Sequence, residues 1–391
     1  MLDRTLSDDL SDPHPALAAL REESPVARVR TPDGPPVWVV TRYADVRELL
    51  RDDTRLSVNP SHGTSGDWTG FDLPASLREH LLAVDAEQHS RLRRLISSPL
   101  SGPGLHRSVA AVEAEADRVV AGLDPDRRVD LVAELAVPLA LAAVRAVLPL
   151  PGIAHEAFGQ WVHETIGAPR RLDDAEPVRA RDTLGRMAEI ITTAATERGQ
   201  GLLAELQDAH RSGRLSADEL AAQVFYVLFV PTEPTVDALG VVLLRLLADA
   251  EHRAALRDSP EARQVAVAEA LRHDSPQGFA APRFARTDVD VAGTRIRAGQ
   301  TVLPSLAAAN RDPRQFADAD RLDLTRNPNP HLAFGRGEHV CPATALSYRL
   351  LAAGVAALLR RYPGTALVGE VRWSGSFRHR GPARVWADLA A

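Results

Sequence analysis

The chain has one cysteine, Cys341, in the stretch His331-Leu-Ala-Phe-Gly-Arg-Gly-Glu-His-Val-Cys-Pro-Ala343, directly ahead of an apolar helical run from Thr344 to Arg361. A single thiol makes no internal disulfide and builds no zinc or iron–sulfur site alone. It can serve as the lone axial ligand of a haem iron. The spacing puts Cys341 at the N-cap of the following helix and Pro342 at the first helical position, where a missing N–H costs nothing. The positive end of the helix dipole favours a thiolate there. Gly335 and Gly337 allow sharp turns and close approach to a flat ligand, and Phe334 is placed to cover the sulfur. Cys341 taken alone is explained as well by a buried structural cysteine ahead of an ordinary helix. The loop as a whole favours ligation.

The segment Phe334-Gly-Arg-Gly-Glu-His-Val-Cys341 resembles the haem-binding loop of the cytochrome P450 family, Phe-Gly-x-Gly-x-His-x-Cys, with Ala343 where glycine is usual. The resemblance implies a cytochrome P450 fold, mainly α with a small β portion, haem b (iron protoporphyrin IX) as cofactor, and Cys341 as the metal ligand. It also implies electrons from a ferredoxin and ferredoxin reductase. Further segments fit. Glu269-Ala-Leu-Arg272 is similar to the family's Glu-x-x-Arg motif and Leu322-Asp-Leu-Thr-Arg326 to its later arginine-bearing segment. The resemblance makes Glu269, Arg272 and Arg326 a buried ion network that holds the cysteine loop. Asp85-Ala-Glu-Gln-His-Ser-Arg-Leu-Arg93 resembles the family's His-x-x-x-Arg helix. It implies that His89 and Arg93, with Arg283, His331 and His339, contact the haem propionates, anions that need cationic or hydrogen-bonding partners when shielded from water.

Composition sets the bounds. The chain has 391 residues, a net charge of −6 and 45% hydrophobic residues, which suits a globular enzyme with a large core. No run of eighteen apolar residues appears and the N-terminus is polar and acidic, so we expect no membrane anchor, no signal peptide and a cytoplasmic location. All 46 basic residues are arginine, which with abundant Ala, Pro and Gly implies a GC-rich bacterial genome of the actinomycete kind. Nothing favours nucleic acid. No repeat or long linker interrupts the chain, and we expect a single domain over 1–391. Strands are expected at Val37–Thr41 with a partner upstream, in 289–303, and near Val371 and Val385. Helices are expected at 43–51, 85–98, 105–123, 129–149, 153–167, 177–199, 216–248, 260–273 and 344–361. Residues 57–76 read as a long loop. Arg91, Arg94 and Arg107 form a possible docking face for an acidic ferredoxin, equally read as solvated surface.

The helix at 216–248 departs from the family. Its Val-Pro-Thr-Glu-Pro-Thr235 aligns with the oxygen-activation segment Ala-Gly-x-(Asp/Glu)-Thr-Thr. Glu233 supplies the acid, but Pro234 stands where the proton-relay threonine is usual, and Thr235 is rotated from it by about 100°. Prolines at 231 and 234 inside one helix cost ~3 kcal/mol each and predict a kink whose freed carbonyls bind water. We expect Glu233, Thr235, the substrate or kink-held water to replace the missing hydroxyl. The alternative is an oxidation without oxygen insertion (coupling, cyclisation or desaturation), or one driven by peroxide. The resemblance places Trp68 and Phe71, the helices near 153–199, Phe225, Phe229, Val230 and the segments 275–284 and 374–378 around the substrate. That substrate is expected to be a small secondary metabolite, free or bound to a carrier protein. A haem-binding protein without turnover is the rival from another class.

Overall fold

The antiparallel pair Val26–Arg30 with Pro36–Val40, which joins Val29 to Val37, is buried on both faces, with Val29, Val37 and Val39 in one apolar cluster and Val26 and Val40 in another. In this computed structural model, residues 12–31, 36–64, 73–164, 177–375 and 377–390 are described. Pro36–Val40 runs parallel to Thr301–Pro304, and the sheet is completed by Arg283–Ala285 and Leu56–Ser57. Smaller pairings join Val289–Val291 to Thr294–Ile296, Trp373–Gly375 to Arg380–Pro382, and Trp386–Asp388 to both Val129–Asp130 and Ala366–Leu367. The rest of the regular structure is helical, so the expected class, mainly α with a small β portion, is what is observed.

Helices Gly102–Ala121, Val137–Val147, Thr232–Leu246, Pro260–His273 and Thr344–Arg361 share one apolar core, with Val112, Ala116, Leu139, Leu243, Val355 and Leu358 fully or almost fully buried. A second apolar cluster, including Val46, Leu56, Val302 and Leu332, lies under the five-stranded sheet. Thr344–Arg361 packs against Gly102–Ala121 and Pro260–His273, which brings the cysteine loop to the centre of the helical layer.

Among the described residues, four α-helices go beyond the sequence reading: His14–Glu23, Gly201–Arg211, the short Leu306–Ala309 and Ala250–Asp258. The last is announced by Asp249, whose carboxylate accepts from the N–H groups of Glu251 and His252. The helix expected over 129–149 begins instead as strand Val129–Asp130 and a π-turn over Val132–Ala136. Only Val137–Val147 is α-helical, because Pro138 can donate no hydrogen bond and sits in its first turn. The stretch Ala217–Leu246 is long and apolar enough to span a membrane by length and composition alone, but 67% of its most apolar 18-residue window is buried in the core.

Candidate active site

The cysteine loop is fixed by its own backbone. The Cys341 N–H donates to the Phe334 carbonyl at 2.9 Å, and the Gly335 N–H to the Leu332 carbonyl at 2.8 Å. Gly335 and Gly337 adopt φ of +72° and +78°, open to glycine at little cost. The close approach expected at Gly337 is made to protein. A Cβ there would run into the Leu50 carbonyl, so the loop is pressed on the end of helix Tyr43–Leu49. The helix starts later than the sequence suggests, with Ala343 as N-cap and Thr344 as first residue. The reason is an extra turn: the Thr344 hydroxyl donates to the Cys341 carbonyl at 2.8 Å, leaving Cys341 and Pro342 outside the helix. Burial pushes the Cys341 thiol up, against the Ala343 N–H, the Thr344 hydroxyl and the Arg93 charge. A thiolate in this place therefore needs a cation on its sulfur.

Around the loop is a group of polar atoms with little to bind. His89, 1% exposed, meets Glu338 Oε1 through Nδ1 at 3.1 Å, and its Nε2 has no hydrogen-bond partner. Both ring nitrogens of His339 are likewise buried without partners, and the two rings stand 4.3 Å apart. Burial holds His89 down to about 4 and His339, beside Arg283, down to about 2. Arg283 donates to the carbonyls of Ala281 and Pro282 at 2.9 and 3.4 Å, and burial lowers it to about 10. Arg93 donates to the Val340 carbonyl at 2.8 Å and the Glu338 carbonyl at 3.3 Å, joining the helix Ala86–Leu95 to the loop. His331 stands apart from this group. Its Nδ1 accepts from the Ala333 N–H at 3.1 Å and its Nε2 meets the Tyr348 hydroxyl at 2.7 Å. Phe334 packs against Tyr348, with ring centroids at 5.2 Å. Sequence reasoning missed Glu338 and Tyr348, since neither contact has a periodic signal.

Glu269, Arg272 and Arg326 come together as the motifs imply. Glu269 and Arg272 have no exposed surface and form two parallel hydrogen bonds at 2.7 and 2.8 Å. Arg326 Nε, Asn329 Nδ2 and the Asp323 N–H add donors at 3.1, 3.1 and 2.9 Å. Burial alone would push Glu269 up, but the Arg272 hydrogen bonds, the Asp323 N–H and the two guanidinium charges outweigh it and hold the carboxyl below its usual range.

On the opposite side, the expected single helix is two, Ala217–Leu228 and Thr232–Leu246. Pro231 is the N-cap of the second and Pro234 its third residue, where an N–H has no intrahelical acceptor. The break thus removes most of the cost assigned to proline in a continuous helix. The Thr232 hydroxyl closes on the Leu228 carbonyl, a protein partner at the break, where the sequence suggested water. Phe229 packs in the core against Phe158 and Trp161, at 5.5 and 4.9 Å, and on Phe225 at 5.9 Å, while Phe225 also packs on His80 at 5.7 Å. Thr235 is partly exposed and its N–H donates to the Pro231 carbonyl at 3.0 Å. Glu233 Oε2 lies 3.4 Å from His379 Nε2. Arg91 bonds Glu219 and the Arg214 carbonyl, so it is not a member of an open docking face with Arg94 and Arg107. Trp68 and Phe71 lie outside the described residues.

The profile of the cytochrome P450 family matches residues 186–366. The chain is 35% identical over 338 residues to the vitamin D(3) 25-hydroxylase of Pseudonocardia autotrophica, covering 86% of this chain and 83% of that one. Among solved structures it resembles the tirandamycin C-bound P450 monooxygenase TamI, with a TM-score of 0.88 and 28% identity over 99% of this chain and 100% of that one. It also resembles the P450 enzyme CxnD for C–S bond formation in chuangxinmycin biosynthesis, with a TM-score of 0.83 and 26% identity over 97% and 94% of the two chains. The chain belongs to the cytochrome P450 family. It is an oxidoreductase of the monooxygenase type, and the cofactor of its family is haem b. The donor set fits that group: a half-buried thiol, a buried arginine and unpartnered imidazole nitrogens suit a flat dianion bearing a soft-ligand metal.

Proposed function

We propose that this enzyme is a haem-thiolate monooxygenase that hydroxylates a small secondary metabolite in the bacterial cytoplasm, with electrons from a ferredoxin and its reductase. The observation that carries the reading is the buried set around the cysteine loop: His89 Nε2 and both His339 nitrogens have no hydrogen-bond partner, and Arg283, bonded only to two carbonyls, is a cation with no carboxylate partner among the described residues. Such groups are costly unless an anion meets them, and the propionates of haem b are anions of the right kind. In this reading Cys341 is the axial ligand. His89, Arg93, Arg283 and His339 hold the propionates, with Phe334 and Gly335 shaping the loop. His331 acts one step removed, by fixing Tyr348 against Phe334. When bound, thiolate-ligated haem supplies activation of dioxygen. The chain's own residues bury the sulfur, orient the ring, exclude water and, at Glu233, present a carboxyl for proton transfer. Pro234 and Thr235 shape the first turn that carries it.

A second reading has its own support. Pro234 lacks the hydroxyl on which oxygen insertion usually relies, and CxnD, a structural neighbour, is described as forming a C–S bond. Oxidative coupling, ring closure or desaturation, by dioxygen or by peroxide, would fit that departure.

The reduced protein under carbon monoxide is expected to show the red-shifted absorbance of thiolate ligation, and Cys341→Ser to lose it. Its absence from the wild type refutes the haem-thiolate assignment. Incubation with free and carrier-bound candidate substrates, read by mass, then separates the reactions. A gain of one oxygen supports hydroxylation, and a loss of two hydrogens supports the second reading.

A further inference from the structure

Helix Thr232–Leu246 carries two carboxylates one turn apart, Glu233 and Asp237, on the same face. The C-terminal hairpin strand Arg380–Pro382 lies against that face so tightly that a Cβ on Gly381 would run into Asp237 Oδ1 and the helix backbone. The residue just before the strand, His379, sits between the two acids. Its Nδ1 is 3.2 Å from Asp237 Oδ2 and its Nε2 is 3.4 Å from Glu233 Oε2. Exposure is graded along the row, from 1% for the Asp237 side chain to 21% for His379 and 37% for Glu233. On the hairpin, Arg378 lies over the Phe377 ring at 4.8 Å and Arg380 meets Asp274 at 3.2 Å. The strand-like partner on the other side of His379 is the uncharged Gln277.

A buried carboxylate on one imidazole nitrogen fixes the tautomer and leaves the other nitrogen to trade protons. We propose that His379 is a proton carrier that reloads Glu233 during turnover, with Asp237 as the positioning residue that keeps Nδ1 protonated and the ring aimed. The proposal rests on the monooxygenase reading, whose stoichiometry is R–H + O₂ + 2e⁻ + 2H⁺ → R–OH + H₂O. The imidazolium gives its Nε2 proton to the Glu233 carboxylate, remains as neutral imidazole with Nδ1–H on Asp237, and takes a new proton from water at its exposed edge. No electron moves in the relay. It provides an acid–base group that the hydroxyl missing at Pro234 does not, and it comes from a segment of the chain remote from the helix.

The test uses the haem-loaded protein without substrate, fed by a surrogate ferredoxin and reductase. Electrons then end as hydrogen peroxide (O₂ + 2e⁻ + 2H⁺ → H₂O₂) or as water (O₂ + 4e⁻ + 4H⁺ → 2H₂O), and proton supply decides the split. His379→Gln and Glu233→Gln are each expected to lower the water-to-peroxide ratio at least about tenfold, with the carbon monoxide band of the wild type retained. ¹⁵N-histidine NMR of the carbon monoxide complex gives a readout independent of turnover. His379 is expected to be protonated at Nδ1, to titrate differently in Glu233→Gln, and to change tautomer in Asp237→Asn. An unchanged ratio in both glutamine variants overturns the relay, as does a His379 ring that titrates indifferently to Glu233. If His379→Gln disturbs the hairpin and the band, the wild-type NMR and Glu233→Gln decide. A wild type without the thiolate band sinks the monooxygenase reading instead.

Discussion

Glu269 shows how much one side chain holds. It has no exposed surface and accepts from Arg272, Arg326, Asn329 and the Asp323 N–H, while Arg272 reaches on to the carbonyls of Asn310, Ala319 and Arg321 at 2.8, 2.7 and 3.0 Å. Breaking such a pair is costlier than its net worth, because the partner stays buried and charged. We expect Glu269→Gln to destabilise the protein by roughly 3–5 kcal/mol in urea unfolding, and to release haem more readily because Asn329 and Arg326 lead into the cysteine loop. Gly337→Ala tests the loop from the other side. The new Cβ meets the Leu50 carbonyl at a φ of +78°, so a cost of about 1–3 kcal/mol is expected, with the carbon monoxide band weakened and the distal helix untouched. The ion network was legible only through the family resemblance, since a Glu-x-x-Arg pair alone occurs on any surface helix and Arg326 lies 57 residues from Glu269. His379 was not. It lies far along the chain from Glu233, and nothing in local spacing joins a hairpin residue to a helix it packs on.

At the scale of elements, the prolines are the instructive case. Their positions were legible but not their consequence, because a proline's cost depends on where a helix begins. Had Ala217–Leu246 been one helix, Pro234 would sit in its interior at ~3 kcal/mol. With the break over 229–231 it sits in a first turn, with the Thr232 hydroxyl serving the Leu228 carbonyl. Pro234→Ala is therefore expected to change stability by less than about 1 kcal/mol by urea unfolding. A gain near ~3 kcal/mol would mean that the helix is continuous and strained. The capping box at Ser216 and Glu219, with N–H to side-chain distances of 3.0 Å in both directions, fixes the start of the helix expected from 216. The helix His14–Glu23 was harder to read, since its N-cap Pro13 offers no side-chain hydrogen bond and its place depends on docking Arg21 to the Ala308 carbonyl at 3.0 Å.

Across the whole molecule, Asp274 ties distant segments together. Its carboxylate is 3.6 Å from His14 near the N-terminus, 2.8 Å from His273, 2.7 Å from Arg245, 3.9 Å from Arg311 and 3.2 Å from Arg380 in the last hairpin. Burial would push it up, but the close contacts with His273 and Arg245, the Arg245 charge and the nearby His14 ring hold it well below the usual carboxylate range. A depressed carboxyl lends stability that is full above its unfolded value near 4 and is lost as pH falls through the folded one. The buried histidines act earlier. Burial lowers His80 and His331 to about 4, against 6.5 in the unfolded chain. The unfolded chain takes up protons that the folded one refuses, so stability drops as pH falls from about 6.5 to 4, by up to roughly 3 kcal/mol for each histidine. The expected profile of urea midpoint against pH therefore declines in two stages, one from about 6.5 to 4 and a second below. His331→Gln, which can still bond Tyr348, is expected to flatten the first stage. Asp274→Asn is expected to lower stability at neutral pH by roughly 3–5 kcal/mol, because it strands three arginines around a neutral amide, and to flatten the second stage. A wild-type midpoint that is level from pH 6.5 to 4 would show that these imidazoles accept protons in the folded state. It would remove the physical reason for calling their sites dry.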